Sequence, residues 1–233
     1  EYHNVIPKGY TRFLGKLSEL SDAGIEIHFF TGNHDMWAFD YLQEECGVIL
    51  HTAPIEISLP SLSGTPISAY VGHGDGLGDP SRGFRFIRSI FHSPLCQWLF
   101  RNIFPADLGM EFGLRWAKSS RLKHSRNVVA ENGDKLYVSE DGEIRNALGD
   151  VLSQNIGTEE PFQGEANEPL VIFSKQYLQN HPYTSYFIFG HRHIELDLML
   201  SRHAHLLILG EWIKKCTYAV WDGENMILDN FEK

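Results

Sequence analysis

Apolar residues recur at helical spacing at Phe13, Leu14, Leu17 and Leu20, and the pattern stops at Asp22-Ala23-Gly24, which predicts a helix over 11–20. Residues 25–30 form a short apolar run between that glycine and Thr31-Gly32, the signature of a buried strand. Helix, glycine turn and strand make half of a βαβ unit, so a parallel-type sheet is expected. A second helix is predicted over 36–46, and short strands over 48–50, 55–59 and 67–71. Phe84, Ile87, Phe91, Leu95 and Trp98 then recur every three or four positions, an amphipathic face with Arg85 and Arg88 beside it. Ser93-Pro94 reads as the N-cap and first residue of a renewed helix, and 107–124 as a further helical segment. The stretch 127–169 carries ten acids and two bases and reads as a mobile connector with one hairpin over 135–144 around Asp141-Gly142. A helix over 170–180 leads to a strand that ends at Gly190. The tail reads as four successive strands of a second sheet, at 195–200, 206–210, 216–221 and 226–231.

A chain of 233 residues suits one large core with an inserted subdomain. The expected division is a core in two parts, 1–81 and 170–233, interrupted by a helical cap over 82–126 and the acidic connector over 127–169. Hydrophobic content of 42% and charged content of 21% are ordinary for a globular protein, and no apolar run approaches the ~20 residues that span a bilayer. The three cysteines are scattered, with no CxxC, and read as reduced thiols of a cytoplasmic protein. Net charge is −10, but residues 82–126 hold nine Lys/Arg against two acids, a local +7, and leave 11 bases and 28 acids, a local −17, for the remainder. Such asymmetry points to one region that meets an anion or a membrane surface, with a solvated basic face as the plainer alternative.

Candidate chemistry gathers in three turns that follow strand-like runs. In Gly190-His191-Arg192-His193, extended backbone would place both imidazoles on one side and Arg192 on the other, and imidazole is a common metal ligand. A chance surface His-x-His is the competing reading. In Gly32-Asn33-His34-Asp35, Asn33 offers an amide oxygen to a metal, His34 can stabilise a phosphoryl oxygen, and Asp35 can orient that ring; the same tetrapeptide also reads as an Asx-type turn. In Gly72-His73-Gly74-Asp75 the glycines permit close backbone approach to a ligand, or His73 is a satisfied structural histidine. Arg115, Ser119, Lys123 and Arg126 recur on one helical face that could bind a diphosphate.

The order GNHD, GHGD, GHRH resembles the calcineurin-like metallophosphoesterase superfamily. The resemblance implies a four-layer αββα sandwich around two divalent metal ions. Asn33, His73 and His191 would hold one ion, His193 would hold the other, and His34 would act as the catalytic histidine with Asp35 beside it. Adding the basic amphipathic insert and Leu209-Gly210-Glu211-Trp212, the chain is similar over nearly its whole length to the UDP-2,3-diacylglucosamine pyrophosphatases of lipid A synthesis. Members of that family cleave UDP-2,3-diacylglucosamine to UMP and the lipid 1-phosphate, with manganese as the usual metal. Well-known members carry arginine where this chain has His34. In that family the insert caps the site, which assigns Phe84, Ile87, Phe91, Leu95 and Trp98 to acyl chains, and Arg115, Lys118, Ser119, Lys123 and Arg126 to substrate phosphates and sugar.

The superfamily also uses an early Asp-x-His and a later Gly-Asp-x-x-Asp, and neither motif occurs in this sequence. Two dications ~3.5–4 Å apart need anionic ligands, whereas one amide and three imidazoles are all neutral. The expectation is that the first strand-helix-strand lies upstream, and that this chain binds metal weakly and turns over slowly. Two rivals follow: another metallophosphoesterase acting on a different phosphodiester, or a non-catalytic module that holds a lipid or partner with the cap. Nucleic acid is not an expected partner, because the positive charge is confined to an apolar-rich insert on an acidic body. The expected location is the cytoplasmic face of the inner membrane, with contact through the cap.

Overall fold

A computed structural model describes residues 6, 8–35, 37–78, 93–103, 105, 108–109, 111, 115, 137–138, 144–145, 151–153, 162–212 and 215–231. The chain divides into two compact units, one made of residues 1–103 with 162–233 and the other of residues 104–161.

In the first unit, helix α1 (Thr11–Asp22) ends on Ala23, leads through Gly24 and enters strand β1 (His28–Phe30). Helix α2 (Tyr41–Cys46) closes on Gly47 in left-handed backbone and is followed by strand β2 (Ile49–His51), which pairs with β1 in parallel. β1, α2 and β2 form a βαβ unit with the expected parallel pairing, whereas the helix–glycine–strand pattern itself describes α1 and β1, just before it in the chain. Helix α2 begins later than the 36–46 reading, because the residues before it are committed to tertiary contacts. Trp37 packs on Phe100 at 4.5 Å, the Asp40 carboxylate accepts from Arg101 at 3.2 Å, and the Arg101 guanidinium lies over Phe39 at 4.7 Å. Those contacts come from helix α3 (Pro94–Ile103). The Ser93 carbonyl accepts from the Gln97 amide at 3.0 Å, which agrees with Ser93-Pro94 as the helix start.

The main sheet contains β3 (Ile55–Leu59), β4 (Ile67–Gly72), β8 (Thr184–Phe189), β9 (Glu195–Ser201) and β10 (Ala204–Leu209), in the order β3-β4-β8-β10-β9. Its three inner strands, β4, β8 and β10, run parallel, and the edge strands β3 and β9 are antiparallel to their neighbours. The predicted second sheet in the tail is therefore corrected. Residues 195–201 and 204–209 extend the sheet that carries the histidine turn, and only β11 (Thr217–Trp221) and β12 (Met226–Asn230) form a separate two-stranded sheet. The reason lies in burial on both faces: Leu206, Leu207 and Ile208 are all buried, which suits an inner strand between β8 and β9. Alternation along a strand reveals its faces but not its neighbours.

Helix α4 (Pro169–Asn180) makes the crossover into β8 and covers the sheet. Leu170, Val171, Phe187, Phe189, Ile194, Leu206 and Ile208 form the core, with Tyr70, Phe173 and Tyr177 packed against it. The second unit contains strands β5 (Tyr137–Val138), β6 (Ile144–Arg145) and β7 (Val151–Ser153), all antiparallel. β5 and β6 are the arms of the predicted hairpin; β7 is an addition, since three residues are too few to show a period. Phe84, Ile87, Phe91, Lys118, Ser119, Lys123 and Arg126 lie outside the described residues, as does most of the 127–169 connector.

Candidate metal centre

Parallel pairing brings two of the three candidate turns together. Gly72 and Phe189 are register partners at the carboxyl ends of β4 and β8, so His73 and Gly190-His191 leave the sheet side by side. The Gly190 amide donates to the His73 carbonyl at 3.1 Å and fastens the two turns. In open α/β sheets this end of the strands is where ligands bind. The third turn leaves β1, where the Thr31 amide donates to the His51 carbonyl at 2.9 Å. It delivers Gly32-Asn33 against His73, with Asn33 Oδ1 lying 3.2 Å from His73 Nε2. The His73 and His191 rings meet edge to face with centroids 5.2 Å apart. A cleft open to solvent adjoins His73 and Asp75 and is walled by Phe30, Thr31, His51 and Pro54.

Gly32 is the residue that permits this approach. A Cβ built there would stand 2.5–2.7 Å from three atoms of the His73 ring, closer than side chains tolerate. Asp35 closes its own turn: its carboxylate accepts from the Gly32 amide, and its amide donates back to the Gly32 carbonyl at 3.3 Å. His34 is exposed at the tip of that turn, while Asn33 is half-buried.

The histidine turn differs from the extended backbone expected from its spacing. His191 and His193 have φ of 63° and 55°, and with Cys216 they are the non-glycine residues in the left-handed region among those described. The Arg192 amide donates to the Gly190 carbonyl at 2.7 Å, so His191 sits at the centre of a three-residue turn. With positive φ this is the rare, strained form of such a turn, and left-handed backbone costs roughly 1–2 kcal/mol at each non-glycine residue. Strain of this kind persists where surrounding contacts over-determine it. The side chain of Arg192, between the two histidines, is engaged by Glu168. Its Nε donates to Glu168 Oε1 at 2.7 Å and its Nη2 to Glu168 Oε2 at 3.2 Å. Glu168 is fully buried, and the pattern of the sequence does not single it out, because it lies inside a stretch whose dominant character is acidic. Glu168-Pro169 immediately before an apolar helical run was the available signal.

The electrostatics keep the inner imidazoles neutral. Burial pushes the His191 pKa down to about 4, helped by His73, Arg192 and His193 and opposed by the Asp75 carboxylate. Burial also lowers His73, against the pull of Asp75 and Asp35. A neutral ring keeps a lone pair for a cation, so the donor chemistry fits a divalent metal. So does the 3.2 Å separation of Asn33 Oδ1 and His73 Nε2, since adjacent ligand atoms of one octahedral ion lie about 3 Å apart. The fit covers only part of a shell. Among the described residues, no three His, Cys, Asp or Glu side chains close on one point.

The lowered pKa values carry a stability consequence. Between about pH 6.5 and pH 4 the unfolded chain protonates His191 while the folded chain keeps it neutral, and the lowered pKa of His73 acts in the same direction, so the unfolded state binds more protons. Stability is complete above pH 6.5 and declines as pH falls toward 4. Urea unfolding midpoints in metal-free buffer are expected to fall steadily through that window, and flat midpoints would show that the imidazoles are not desolvated.

Among the other candidates, Arg115 is exposed and ion-paired with Glu111 at 2.6 Å in the second unit. Leu95 and Trp98 share an exposed face of α3 with Leu99 and Ile103. All three cysteines are free thiols, and no helix among the described residues is long and apolar enough to cross a membrane.

No protein-family model matches the chain. Two curated relatives do. The UDP-2,3-diacylglucosamine hydrolase of Porphyromonas gingivalis is 37% identical across the whole of this chain, which spans 79% of that protein. The enzyme of the same name from Edwardsiella ictaluri is 33% identical over 115 residues, covering 49% of this chain and 42% of its own length. Similarity that runs through both halves of the core and everything between them places this chain in the UDP-2,3-diacylglucosamine hydrolase family.

Proposed function

We propose that this protein hydrolyses the diphosphate of UDP-2,3-diacylglucosamine, releasing UMP and 2,3-diacylglucosamine 1-phosphate in lipid A biosynthesis. The observation that carries this reading is end-to-end identity of 37% to a protein named for that substrate. The juxtaposition of Asn33 with His73 and His191 in turns at the carboxyl ends of strands supports it.

The site residues divide the work by chemistry. Asn33, His73, His191 and His193 would hold a divalent metal pair, manganese by the superfamily resemblance, through one amide oxygen and three imidazoles. When bound, such ions stabilise charge on phosphoryl oxygens and make water nucleophilic near neutral pH. His34, exposed beyond the inner rings, donates a hydrogen bond to the phosphoryl oxygen on which charge develops. Asp35 holds the turn that presents both Asn33 and His34, through its bond to the Gly32 amide. Leu95 and Trp98 offer apolar surface to an acyl chain, and Phe84, Ile87 and Phe91 continue the same sequence pattern. On sequence pattern, Arg115, Lys118, Ser119, Lys123 and Arg126 are assigned to the phosphates and sugar, and the arginine-bearing insert to the membrane surface where the lipid resides. The whole chain is read as an αββα metallophosphoesterase sandwich at the cytoplasmic face of the inner membrane.

Release of UMP from UDP-2,3-diacylglucosamine in mixed micelles with manganese tests the reading. Hydrolysis should depend on the acyl chains, with UDP-N-acetylglucosamine a much poorer substrate. Equal rates on the two, or cleavage of bis(p-nitrophenyl) phosphate alone, would assign the chain to a different phosphoesterase activity.

A further inference from the structure

We propose that Glu168 is a positioning residue for the metal centre: its buried carboxylate grips Arg192 in a two-pronged bond and thereby holds His191 and His193 in the backbone that presents their imidazoles. This rests on the reading of those two histidines as metal ligands.

Arg192 is the residue between the two left-handed histidines, so fixing its guanidinium fixes the turn on both sides. The grip runs from Nε to Oε1 at 2.7 Å and from Nη2 to Oε2 at 3.2 Å, a planar geometry that constrains direction as well as distance. Glu168 is itself immobilised. Its amide donates to the Gly164 carbonyl at 2.9 Å, its carbonyl accepts from the Ile172 amide at 3.0 Å, and Leu170, two residues on, lies in the core. The carboxylate is fully buried and the Arg192 side chain is 10% exposed. A desolvated ion pair of this kind is weak evidence for stability, since an apolar pair of similar volume serves as well or better; its distinctive property is that it defines one arrangement. Here that arrangement is imposed on a strained turn that no other feature of the local sequence favours: neither His191 nor His193 is a glycine.

The test compares Mn²⁺ binding, followed by loss of the free-ion electron paramagnetic resonance signal, with thermal melting in four variants. Glu168→Gln should weaken Mn²⁺ binding by about 10- to 100-fold. Arg192→Lys, which keeps the charge but loses the fork, should weaken it similarly and melt within a few degrees of the parent, so it decides the matter if Glu168→Gln does not fold. The double variant Glu168→Leu with Arg192→Met should melt near the parent and still bind Mn²⁺ weakly. Parental Mn²⁺ affinity in the folded double variant, or in Arg192→Lys, would reduce the pair to a structural staple and overturn the proposal. His191→Gly separates the two levels. If it loses Mn²⁺ while Arg192→Lys does not, positioning alone fails; if it binds as the parent does, the ligand reading fails and takes the proposal with it.

Discussion

Replacing His191 with glycine is expected to lower kcat/KM for UDP-2,3-diacylglucosamine by about 10²–10³-fold, equivalent to roughly 3–4 kcal/mol of transition-state stabilisation. Glycine is chosen because the position has φ of 63°, where a side chain is strained and glycine is not. Loss of the imidazole is thereby separated from damage to the turn. The melting temperature should stay close to the parent's, because relief of backbone strain offsets the added freedom of the unfolded chain. Burial beside His73 holds the His191 pKa near 4, so the ring that the substitution removes is a neutral donor throughout the neutral pH range. Unchanged kinetics in a folded variant would remove His191 from the site.

Gly32→Ala should be nearly as damaging, for a steric reason. The added Cβ would lie 2.5–2.7 Å from the His73 ring, so either the ring or the Thr31-Gly32-Asn33 turn has to move. Overpacking of this kind costs about 1–3 kcal/mol of stability. The larger effect falls on activity, since either movement breaks the 3.2 Å juxtaposition of Asn33 Oδ1 and His73 Nε2, and a displacement of about 1 Å at a reacting site costs about 10²-fold. Gly15→Ala is the control, with nothing near the site of its added Cβ. A Gly32→Ala protein as active as that control would show that the ring and the amide need not stay together.

Much of this arrangement is legible in the sequence because each piece is local. Residues 67–72 and 184–189 announce themselves by apolar runs and residues 55–59 and 195–201 by apolar–polar alternation, and Gly24, Gly32 and Gly190 punctuate the chain around them. What sequence reading misses is set by partners distant in the chain. Helix α2 is short because Trp37 and Asp40 are claimed by Phe100 and Arg101, some sixty positions away. Strand β10 joins the main sheet because it is apolar on both faces and finds β8. The His191-Arg192-His193 turn is left-handed, and no pattern of residue types in that tripeptide predicts it, because the constraint arrives from the sheet and from Glu168. Arg192 reaches the buried Glu168 carboxylate, a partner that residue spacing does not reveal.

Family membership and site chemistry rest on different observations. Identity along the whole chain gives the first. The second depends on three turns acting as one centre, and paramagnetic broadening of imidazole ¹⁵N resonances by MnCl₂ tests it most directly. The signals of His73, His191 and His193 should broaden at lower Mn²⁺ than those of His181, which follows helix α4, and of His203 and His205, at the start of β10. Broadening of all the histidines together, or of the outlying ones first, would contradict a cation centre built from Asn33, His73 and the turn after β8.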